Sequence, residues 1–290
     1  MSLVLSGKAP AEAILQRTEQ LVHRLKKAGV HPKMAIVDAT GDRSSAAYAR
    51  IKVKKAAEMG ISTSFYGLDP LSADSTSAFL ELINFLGHDS SIHSIFIERP
   101  LPTELNTLDF ASVLPPIKDI EGMHPANVGK LFLGIPGLEP AFIPTTAAAC
   151  MEMLRYYRIP ISGKRAVMVG RSTAVGKPLA WLLLNADATV TICHTKTANL
   201  SDITRQAEIL AVAVGHPKMI KGSMISPNAV IIDIGTNYTE DGHVVGDVDI
   251  ADCIKASAIT PAVGGIGPIT TALLLENAAR AAAFQARMIP

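Results

Sequence analysis

Two separate parts of the 290-residue chain contain candidate catalytic or ligand-binding residues. In the first part, Tyr48 and Lys52 stand four residues apart, so on a helix their side chains share one face. A lysine whose pKa is lowered by burial can exchange a proton near neutral pH. From the spacing alone, a solvated lysine beside a half-buried tyrosine is the more common alternative.

The second part is a turn between a predicted strand and a predicted helix, and it contains Gly170, Arg171, Ser172, Val175 and Gly176. Such a turn can bring backbone N–H groups and the helix N-terminus against a pyrophosphate. The turn has only two of the three glycines of the usual dinucleotide fingerprint, so an ordinary tight turn is an equal alternative from the glycines alone. The guanidinium and the hydroxyl in the turn favour the pyrophosphate.

The next predicted strand is followed by Thr195 and Lys196, where a Rossmann domain meets the adenosine ribose. This strand end has no Asp or Glu to accept a hydrogen bond from a free 2′-hydroxyl. A hydroxyl and an ammonium group there favour a 2′-phosphate, so the sequence predicts NADP, with NAD as the alternative.

The elements that must position these residues alternate between strand and helix. In the first half we expect strands at 34–39, 62–66 and 92–97 and helices at 10–28, 44–59 and 76–86; in the second half we expect strands at 165–169, 189–193, 208–213 and 229–234, helices at 176–185 and 200–206, and a helix of about 18 residues after 264–268. This alternation favours parallel sheets. The Pro- and Gly-rich stretch 99–144 predicts loops laid over a site, with a domain boundary near residue 140.

The composition excludes several classes of protein. With 27 Lys+Arg against 26 Asp+Glu, the net charge of +1 argues against a nucleic-acid coat or a polybasic membrane tail. The chain is 48% hydrophobic, too apolar for disorder, yet no apolar run approaches the length that spans a bilayer. Three cysteines without a CxxC pair, and no signal-peptide pattern, favour the cytoplasm.

Seven short motifs are distributed along the chain, and they include the two parts described above. They are Gly170-Arg171-Ser172-x-x-Val175-Gly176-x-Pro178, Ala188-Thr189-Val190-Thr191-x-Cys193-His194, Tyr48-x-x-x-Lys52, Pro100-Leu101-Pro102, Lys118-Asp119-Ile120-Glu121-Gly122-x-His124-Pro125, Gly246-Asp247-Val248 and Gly264-Gly265-Ile266-Gly267-Pro268. Together they resemble the bifunctional methylenetetrahydrofolate dehydrogenase/methenyltetrahydrofolate cyclohydrolase family over nearly the whole chain. The departures given below make the chain resemble a divergent member.

The resemblance implies an α/β fold of two domains around a cleft. An N-terminal folate-binding catalytic domain would comprise residues 1–140 plus 270–290, and a Rossmann-like NAD(P)-binding domain would comprise residues 141–269. The resemblance also implies a cytoplasmic homodimer that acts on tetrahydrofolate one-carbon derivatives, with no nucleic acid and no membrane as partner.

The resemblance assigns roles residue by residue. Lys52 would act near the one-carbon unit, together with the residue at position 98, and Tyr48 would stack on or hydrogen-bond the folate. Further substrate contacts are implied for Glu121, Pro100, Leu101, Gly264, Gly265 and Pro268. Cofactor contacts are implied for Gly170, Arg171, Ser172, Val175, Gly176, His194, Thr195, Lys196 and Thr236. No metal site is implied, and no His/Cys/Asp cluster has the spacing of metal ligands.

The implied reaction has two steps. NADP⁺ takes a hydride from the bridging methylene carbon and leaves a methenyl cation, so the protein contributes mainly orientation. Water then attacks the methenyl carbon and the ring opens to 10-formyltetrahydrofolate. In this family a lysine and a neighbouring glutamine are tied to the second step.

At the position of that glutamine this chain has Glu98. A carboxylate about 4 Å from an ammonium group attracts it by up to ~4 kcal/mol at an effective dielectric constant of 20. A lysine held as a cation is a poor base, so we expect the cyclohydrolase step to be weak or lost while the hydride step survives. The alternatives are a fully bifunctional enzyme and a non-catalytic folate-binding paralogue. Arg99 could also engage Glu98, although adjacent strand residues face opposite sides.

Other departures surround the expected substrate site. Glu121 replaces the Asp that in the family holds the pterin ring, which extends the carboxylate by one C–C bond, about 1.5 Å. The family's P-C-T-P-x-G reads Pro144-Thr145-Thr146-Ala147-Ala148-Ala149, and Val263 stands where the family has proline. We therefore expect reshaped surroundings for the pterin and the nicotinamide, and the native one-carbon carrier stays open.

Overall fold

The structure, a computed structural model, describes residues 2–41, 43–69, 72, 75–99, 101–106, 113–134 and 142–288, with the backbone alone for 43–49. The chain divides into two compact units. The N-terminal unit comprises Ile14–Ile143 and Leu274–Pro290, and the C-terminal unit comprises Met1–Ala13 and Pro144–Leu273.

All of the predicted strands and helices are present in the predicted order. The elements of the structure are β1 (Leu3–Val4), α1 (Lys8–Lys27), β2 (Lys33–Asp38), α2 (Arg43–Glu58), β3 (Ser62–Gly67), α3 (Ser75–His88), β4 (Ser94–Ile97), α4 (Thr103–Asn106), α5 (Pro125–Leu133), α6 (Thr145–Tyr156), β5 (Arg165–Val169), α7 (Gly176–Asn185), β6 (Thr189–Cys193), α8 (Leu200–Thr204), β7 (Ile209–Val212), β8 (Val230–Asp233), β9 (Asn237–Tyr238), β10 (Val244–Val245), β11 (Ala258–Ile259) and α9 (Ile266–Gln285). Of these, the structure adds β1, α4, α5, α6, β9, β10 and β11 to the predicted set. Among the described residues, no helix is long and apolar enough to cross a membrane.

The N-terminal unit is built on a parallel sheet with the strand order β3-β2-β4. The central strand β2 is an apolar run that is buried along nearly its whole length, as expected of a parallel strand covered on both faces. One face of the sheet packs with α1 and α9 through Leu25, Ile36, Phe142 and the alanines of α9. The other face packs with α3 through Phe79 and neighbouring aliphatic side chains.

The C-terminal unit is built on a parallel sheet with the strand order β1-β11-β8-β7-β5-β6. Strand β5 lies between the edge strand β6 and the interior strand β7, so the strand order reverses beside it. The predicted α/β class with parallel sheets is confirmed. An antiparallel hairpin of β9 and β10 lies outside this sheet.

The units differ from the predicted domains at the N-terminus. Leu3 N donates to Ser257 O and Leu5 N donates to Ile259 O, so the first residues form the edge strand of the C-terminal sheet. The remaining boundaries, after residues 143 and 273, lie within four residues of the predicted ones.

The stretch 99–144, predicted as loops, contains the helix α5. His124 caps this helix, because its Nδ1 accepts a hydrogen bond from Ala126 N. Pro125 stands in the first turn, where a missing N–H costs nothing, and Gly134 ends the helix with φ 60°. The prolines of this stretch therefore mark a helix start as well as loops.

Candidate functional site

Lys52 and Glu98 meet in the N-terminal unit although 46 residues separate them. Glu98 directly follows β4, and Lys52 lies on α2, the helix that follows the neighbouring strand β2. The Lys52 ammonium nitrogen Nζ lies 2.7 Å from each of the two carboxylate oxygens of Glu98. The structure therefore brings together two of the predicted catalytic residues, one basic and one acidic.

This ion pair is largely removed from water. The Glu98 side chain is 5% exposed and the Lys52 side chain is 20% exposed. Lys52 Nζ also lies 4.3 Å from the centroid of the Phe96 ring, a distance typical of a cation–π contact. The carboxylate and the aromatic face both attract positive charge at Lys52 Nζ.

Burial acts on Glu98 in the opposite direction. Desolvation raises the pKa of Glu98 above its usual value, and the nearby Asp38 carboxylate raises it further. The hydrogen bonds and the charge of Lys52 lower the pKa, but they do not cancel the effect of burial. The net effect is that the pKa of Glu98 lies above its usual value, although the carboxylate contacts an ammonium group.

Glu121 is presented by a turn that neighbouring polar residues hold in place. Asp119 pairs with Ile95 in a parallel bridge, and its carboxylate accepts hydrogen bonds from His124 N (2.7 Å) and Asn127 Nδ2 (3.0 Å). The next turn residue, Gly122, has φ 68°, and a Cβ there would lie 2.4 Å from Phe142 O. The polar residues of this matched motif thus shape the backbone around Glu121.

The carboxyl group of Glu121 belongs to the same charge cluster as Lys52 and Glu98. Burial raises the pKa of Glu121 to about 8, against the lowering effects of the Arg99 guanidinium and of Lys52. The carboxylates of Asp119 and Glu98 add to the increase. Glu121 is therefore mostly protonated at neutral pH, and it can donate as well as accept a hydrogen bond.

The other predicted substrate residues lie elsewhere. Leu101 is buried in the apolar cluster beside α3. Gly264 and Gly265 precede α9 in the C-terminal unit, where Gly264 O accepts a hydrogen bond from Gly7 N (2.8 Å), and Pro268 stands in the first turn of α9. Pro100 and the side chain of Tyr48 lie outside the described residues; the backbone of Tyr48 stands one turn before Lys52 on α2.

The turn after β5 is one that glycine alone can form. Gly170 has φ 126°, and a Cβ there would lie 2.3 Å from Ala213 O. A Cβ on Gly176 would lie 2.4 Å from Gly170 O. Ser172 Oγ accepts hydrogen bonds from Val175 N (3.2 Å) and Gly176 N (3.3 Å), so it caps the start of α7 and keeps its own proton for a further acceptor.

A cavity of about 240 Å³ lies at the carboxyl ends of β5, β6 and β7. Parallel α/β sheets bind their ligands at this position, where the strand order reverses. The lining contains a guanidinium, two imidazoles and, among the described residues, no carboxylate. It comprises Val169, Gly170, Arg171, His194, Thr195, Leu200, Ala213, Val214, His216 and Met219.

Four predicted cofactor residues line one side of this cavity, and residues that were not predicted line the other. Gly170, Arg171, His194 and Thr195 were predicted, whereas the wall formed by 213–219 was not. The sequence did contain a signal for this wall, because these residues stand at the end of the predicted strand 208–213 and directly after it. His194 is a turn residue whose Nδ1 accepts from Lys196 N (3.1 Å).

The two remaining predicted cofactor residues are exposed. Lys196 lies just beyond the cavity lining, and Thr236 lies in the connection between β8 and β9. Within the described ranges, no group of three or more His, Cys, Asp or Glu side chains could hold a metal ion.

Comparisons with known proteins cover the whole length of the chain. Residues 5–121 match the catalytic domain of the tetrahydrofolate dehydrogenase/cyclohydrolase family, and residues 144–286 match its NAD(P)-binding domain. A bifunctional protein FolD from Acetivibrio thermocellus is 41% identical over 286 residues, which are 98% of either chain.

Solved structures show the same likeness. The bifunctional FolD methylenetetrahydrofolate dehydrogenase/cyclohydrolase from Campylobacter jejuni has a TM-score of 0.92 and 38% identity, covering 98% of this chain and 99% of that one. The Trypanosoma brucei dehydrogenase-cyclohydrolase, complexed with NADP cofactor and inhibitor, has a TM-score of 0.91 and 33% identity, covering 99% of both chains.

Proposed function

Because the chain belongs to the tetrahydrofolate dehydrogenase/cyclohydrolase family, we propose that it is an NADP-dependent methylenetetrahydrofolate dehydrogenase whose cyclohydrolase step is weak or lost. Its substrates are tetrahydrofolate one-carbon derivatives. The proposal that the cyclohydrolase step is weak or lost rests on the contact of Lys52 Nζ with both carboxylate oxygens of Glu98, at 2.7 Å each.

The cavity at the carboxyl ends of β5, β6 and β7 suits a pyridine dinucleotide. The absence of a Cβ at Gly170 lets the turn after β5 pass close to the carbonyl of Ala213, another lining residue. Arg171, in the same turn, brings a positive charge to the cavity. Thr195 and Lys196 stand at the end of β6, where a 2′-phosphate favours a hydroxyl and an ammonium group over a carboxylate. NADP⁺ bound there supplies the hydride acceptor.

On the substrate side, the charge cluster of Lys52, Glu98 and Glu121 suits a folate that becomes cationic. The C–H bond of the methylene bridge breaks and its electron pair leaves with the hydride, so positive charge develops on the carbon and its two nitrogens. A fixed carboxylate near developing positive charge lowers the barrier. Glu121, protonated at neutral pH, can donate a hydrogen bond to the pterin ring and accept one from it.

The second step needs a base, because water that attacks the methenyl carbon must lose a proton. Lys52 cannot accept a proton while it is an ammonium ion. Glu98 binds that ion with both oxygens, and the Phe96 ring lies against it. Ring opening is therefore slow compared with the hydride step.

One observation favours a second candidate function, a fully bifunctional enzyme. Burial raises the pKa of Glu98. If the proton passes from Lys52 to Glu98, the pair becomes a neutral amine beside a carboxylic acid. The amine is then a competent base, and both steps proceed.

The two candidates are separated by measuring both activities on purified protein. Oxidation is followed with methylenetetrahydrofolate and either NADP⁺ or NAD⁺, and ring opening by the decay of added methenyltetrahydrofolate. We expect methenyltetrahydrofolate to accumulate, and Glu98→Gln to accelerate its decay at least tenfold with little change in oxidation.

Glu276→Gln is the matched control, because Glu276 on α9 accepts a hydrogen bond from Arg17 Nη2 on α1 (2.9 Å) and is not part of the charge cluster. It should leave both activities unchanged. Wild-type ring opening as fast as hydride transfer would instead establish the bifunctional enzyme. A protein that binds folate and reduces neither nucleotide would overturn both candidates.

We also propose that the protein is a cytoplasmic homodimer. The family resemblance supports the dimer, and three buried cysteines without disulfides suit a reducing compartment. Light scattering during size-exclusion chromatography tests the dimer, because a mass of 30.7 kDa would identify a monomer.

A further inference from the structure

A buried carboxylate lies directly behind one wall of the nucleotide cavity. Asp247 is completely buried. Its Oδ2 accepts hydrogen bonds from Val214 N (2.6 Å) and Gly215 N (3.1 Å), and its Oδ1 accepts one from His216 N (2.9 Å). Three consecutive backbone N–H groups that converge on one anion form a nest. Val214 and His216 also line the cavity, so this carboxylate holds its wall.

Two further groups hold Asp247 itself. Asn237 Nδ2 donates to Asp247 Oδ1 (2.9 Å). The carboxylate of Asp233, also buried, accepts hydrogen bonds from Asp247 N and Gly235 N at 3.0 Å each, and from Val248 N at 3.0 Å. The backbone that carries Asp247 is therefore fixed from the end of β8.

Two glycines leave the space that this arrangement needs. A Cβ on Gly235 would lie 2.2 Å from Asp247 Cγ, and a Cβ on Gly246 would lie 1.8 Å from Asp233 Oδ2. Side chains at these positions would displace the carboxylates. The motif Gly246-Asp247-Val248, to which the dehydrogenase reaction assigns no role, is thus accounted for by the cavity wall.

We propose that Asp247 is a positioning residue for the pyridine nucleotide: it holds the backbone of residues 214–216 in the cavity wall and so sets the affinity for NADP⁺. The inference rests on the proposed binding of NADP⁺ in this cavity. Four N–H donors occupy the Asp247 carboxylate, so it acts through the wall and does not touch the reacting atoms.

The variant Asp247→Asn tests this role with minimal change of size. In either orientation of the amide, an NH₂ group replaces an oxygen that accepts from two N–H donors, so two hydrogen bonds are lost and the donors face each other. We expect the Kd for NADP⁺ to rise at least tenfold. We expect kcat at saturating NADP⁺, and KM for methylenetetrahydrofolate, to stay within about threefold of wild type.

The matched control is Asp249→Asn, two residues further along. Asp249 Oδ2 pairs with Lys221 Nζ (2.9 Å) at the surface, and it does not contact the wall. It should bind NADP⁺ like the wild type. Calorimetric titration gives Kd, and thermal unfolding without nucleotide shows whether each variant is folded.

If Asp247→Asn does not fold, Asn237→Ala decides the question, since it removes one of the four donors and leaves Asp247 in place. We expect it to raise Kd about threefold. Wild-type affinity in a folded Asp247→Asn, or in Asn237→Ala, would overturn the inference while leaving the dehydrogenase intact. A kcat that falls as far as the affinity would also overturn it. A wild-type protein that binds neither NADP⁺ nor NAD⁺ would overturn the proposed function itself.

Discussion

Each of the two carboxylate oxygens of Glu98 accepts a hydrogen bond from one ammonium group, that of Lys52, on the helix that follows the neighbouring strand. Neither partner can be removed without consequence for the other. A buried pair of this kind contributes little net stability, but a single partner left behind is an uncompensated charge.

The first prediction concerns that isolated charge. Lys52→Met leaves Glu98 buried without its cation, so we expect a loss of about 3 kcal/mol in the free energy of unfolding at pH 8, measured by urea denaturation. The loss should shrink at pH 5, because a protonated Glu98 needs no cation.

Lys164→Met is the control for this experiment. Lys164 pairs with Glu208 at 3.0 Å, but both side chains are more than a third exposed. Removing an exposed partner costs at most about 1 kcal/mol. Equal losses in the two variants would mean that burial of Glu98 does not matter.

The second prediction follows from Glu121, whose pKa is raised from 4.5 to about 8 in the folded protein. The folded state prefers the protonated group, so this contribution to stability is complete below the unfolded pKa and is lost as the pH rises through the folded pKa. Glu121→Gln removes the titration. We expect the free energy of unfolding of this variant to increase relative to that of the wild type between pH 5 and pH 8, by on the order of 4 kcal/mol in total. Above pH 8 the difference between the two proteins should stay constant.

Chemical denaturation at a series of pH values measures this difference. A difference between Glu121→Gln and wild type that does not change with pH would contradict the raised pKa. The KM for methylenetetrahydrofolate should rise above pH 8 in the wild type alone, because the ionised carboxylate can no longer donate a hydrogen bond to the pterin.

The third prediction concerns the choice of nucleotide. Lys196→Ala removes the ammonium group just beyond β6, where a 2′-phosphate is expected, so we expect the KM for NADP⁺ to rise about tenfold and the KM for NAD⁺ about threefold or less. Lys255→Ala, which removes an exposed cation elsewhere in the same unit, should change neither. Equal increases for both nucleotides would indicate that Lys196 binds a group that they share.

The fourth prediction separates the stability cost of backbone strain from the cost of a steric clash. Gly170→Ala places a Cβ 2.3 Å from Ala213 O at φ 126°, and we expect a loss of about 3 kcal/mol in stability together with weaker NADP⁺ binding. Gly163 also has positive φ, 74°, but no atom lies within 4 Å of a Cβ there. Gly163→Ala should therefore lose only about 1 kcal/mol.

The sequence predicted the features that depend on short local patterns of residues. The alternating elements indicated parallel sheets, and the turn at Gly170 was expected where the cavity lies. The proximity of Lys52 to Glu98 came from the family resemblance, since no local pattern joins residues on different elements. Strand pairing brings them together, because β4 lies directly beside β2.

Other features depend on long-range packing. The wall at 213–219 faces the turn only because β7 lies next to β5, an order that no local pattern contains. A strand of two residues, Leu3–Val4, is too short to show alternation. The raised pKa of Glu121 needs both its burial and the charges of Arg99, Asp119 and Glu98, which three-dimensional folding assembles.

The chain passes between the units after residues 13, 143 and 273, so neither unit is one continuous segment. This has a consequence during biosynthesis. Residues 14–143 are translated before residues 144–273, yet the apolar core that they form includes Leu274, Leu275 and the alanines of α9, which are translated after residue 273. A nascent chain that has emerged only to residue 143 therefore exposes an unfilled core. Chaperones that bind apolar surface are expected to hold it until α9 has been translated.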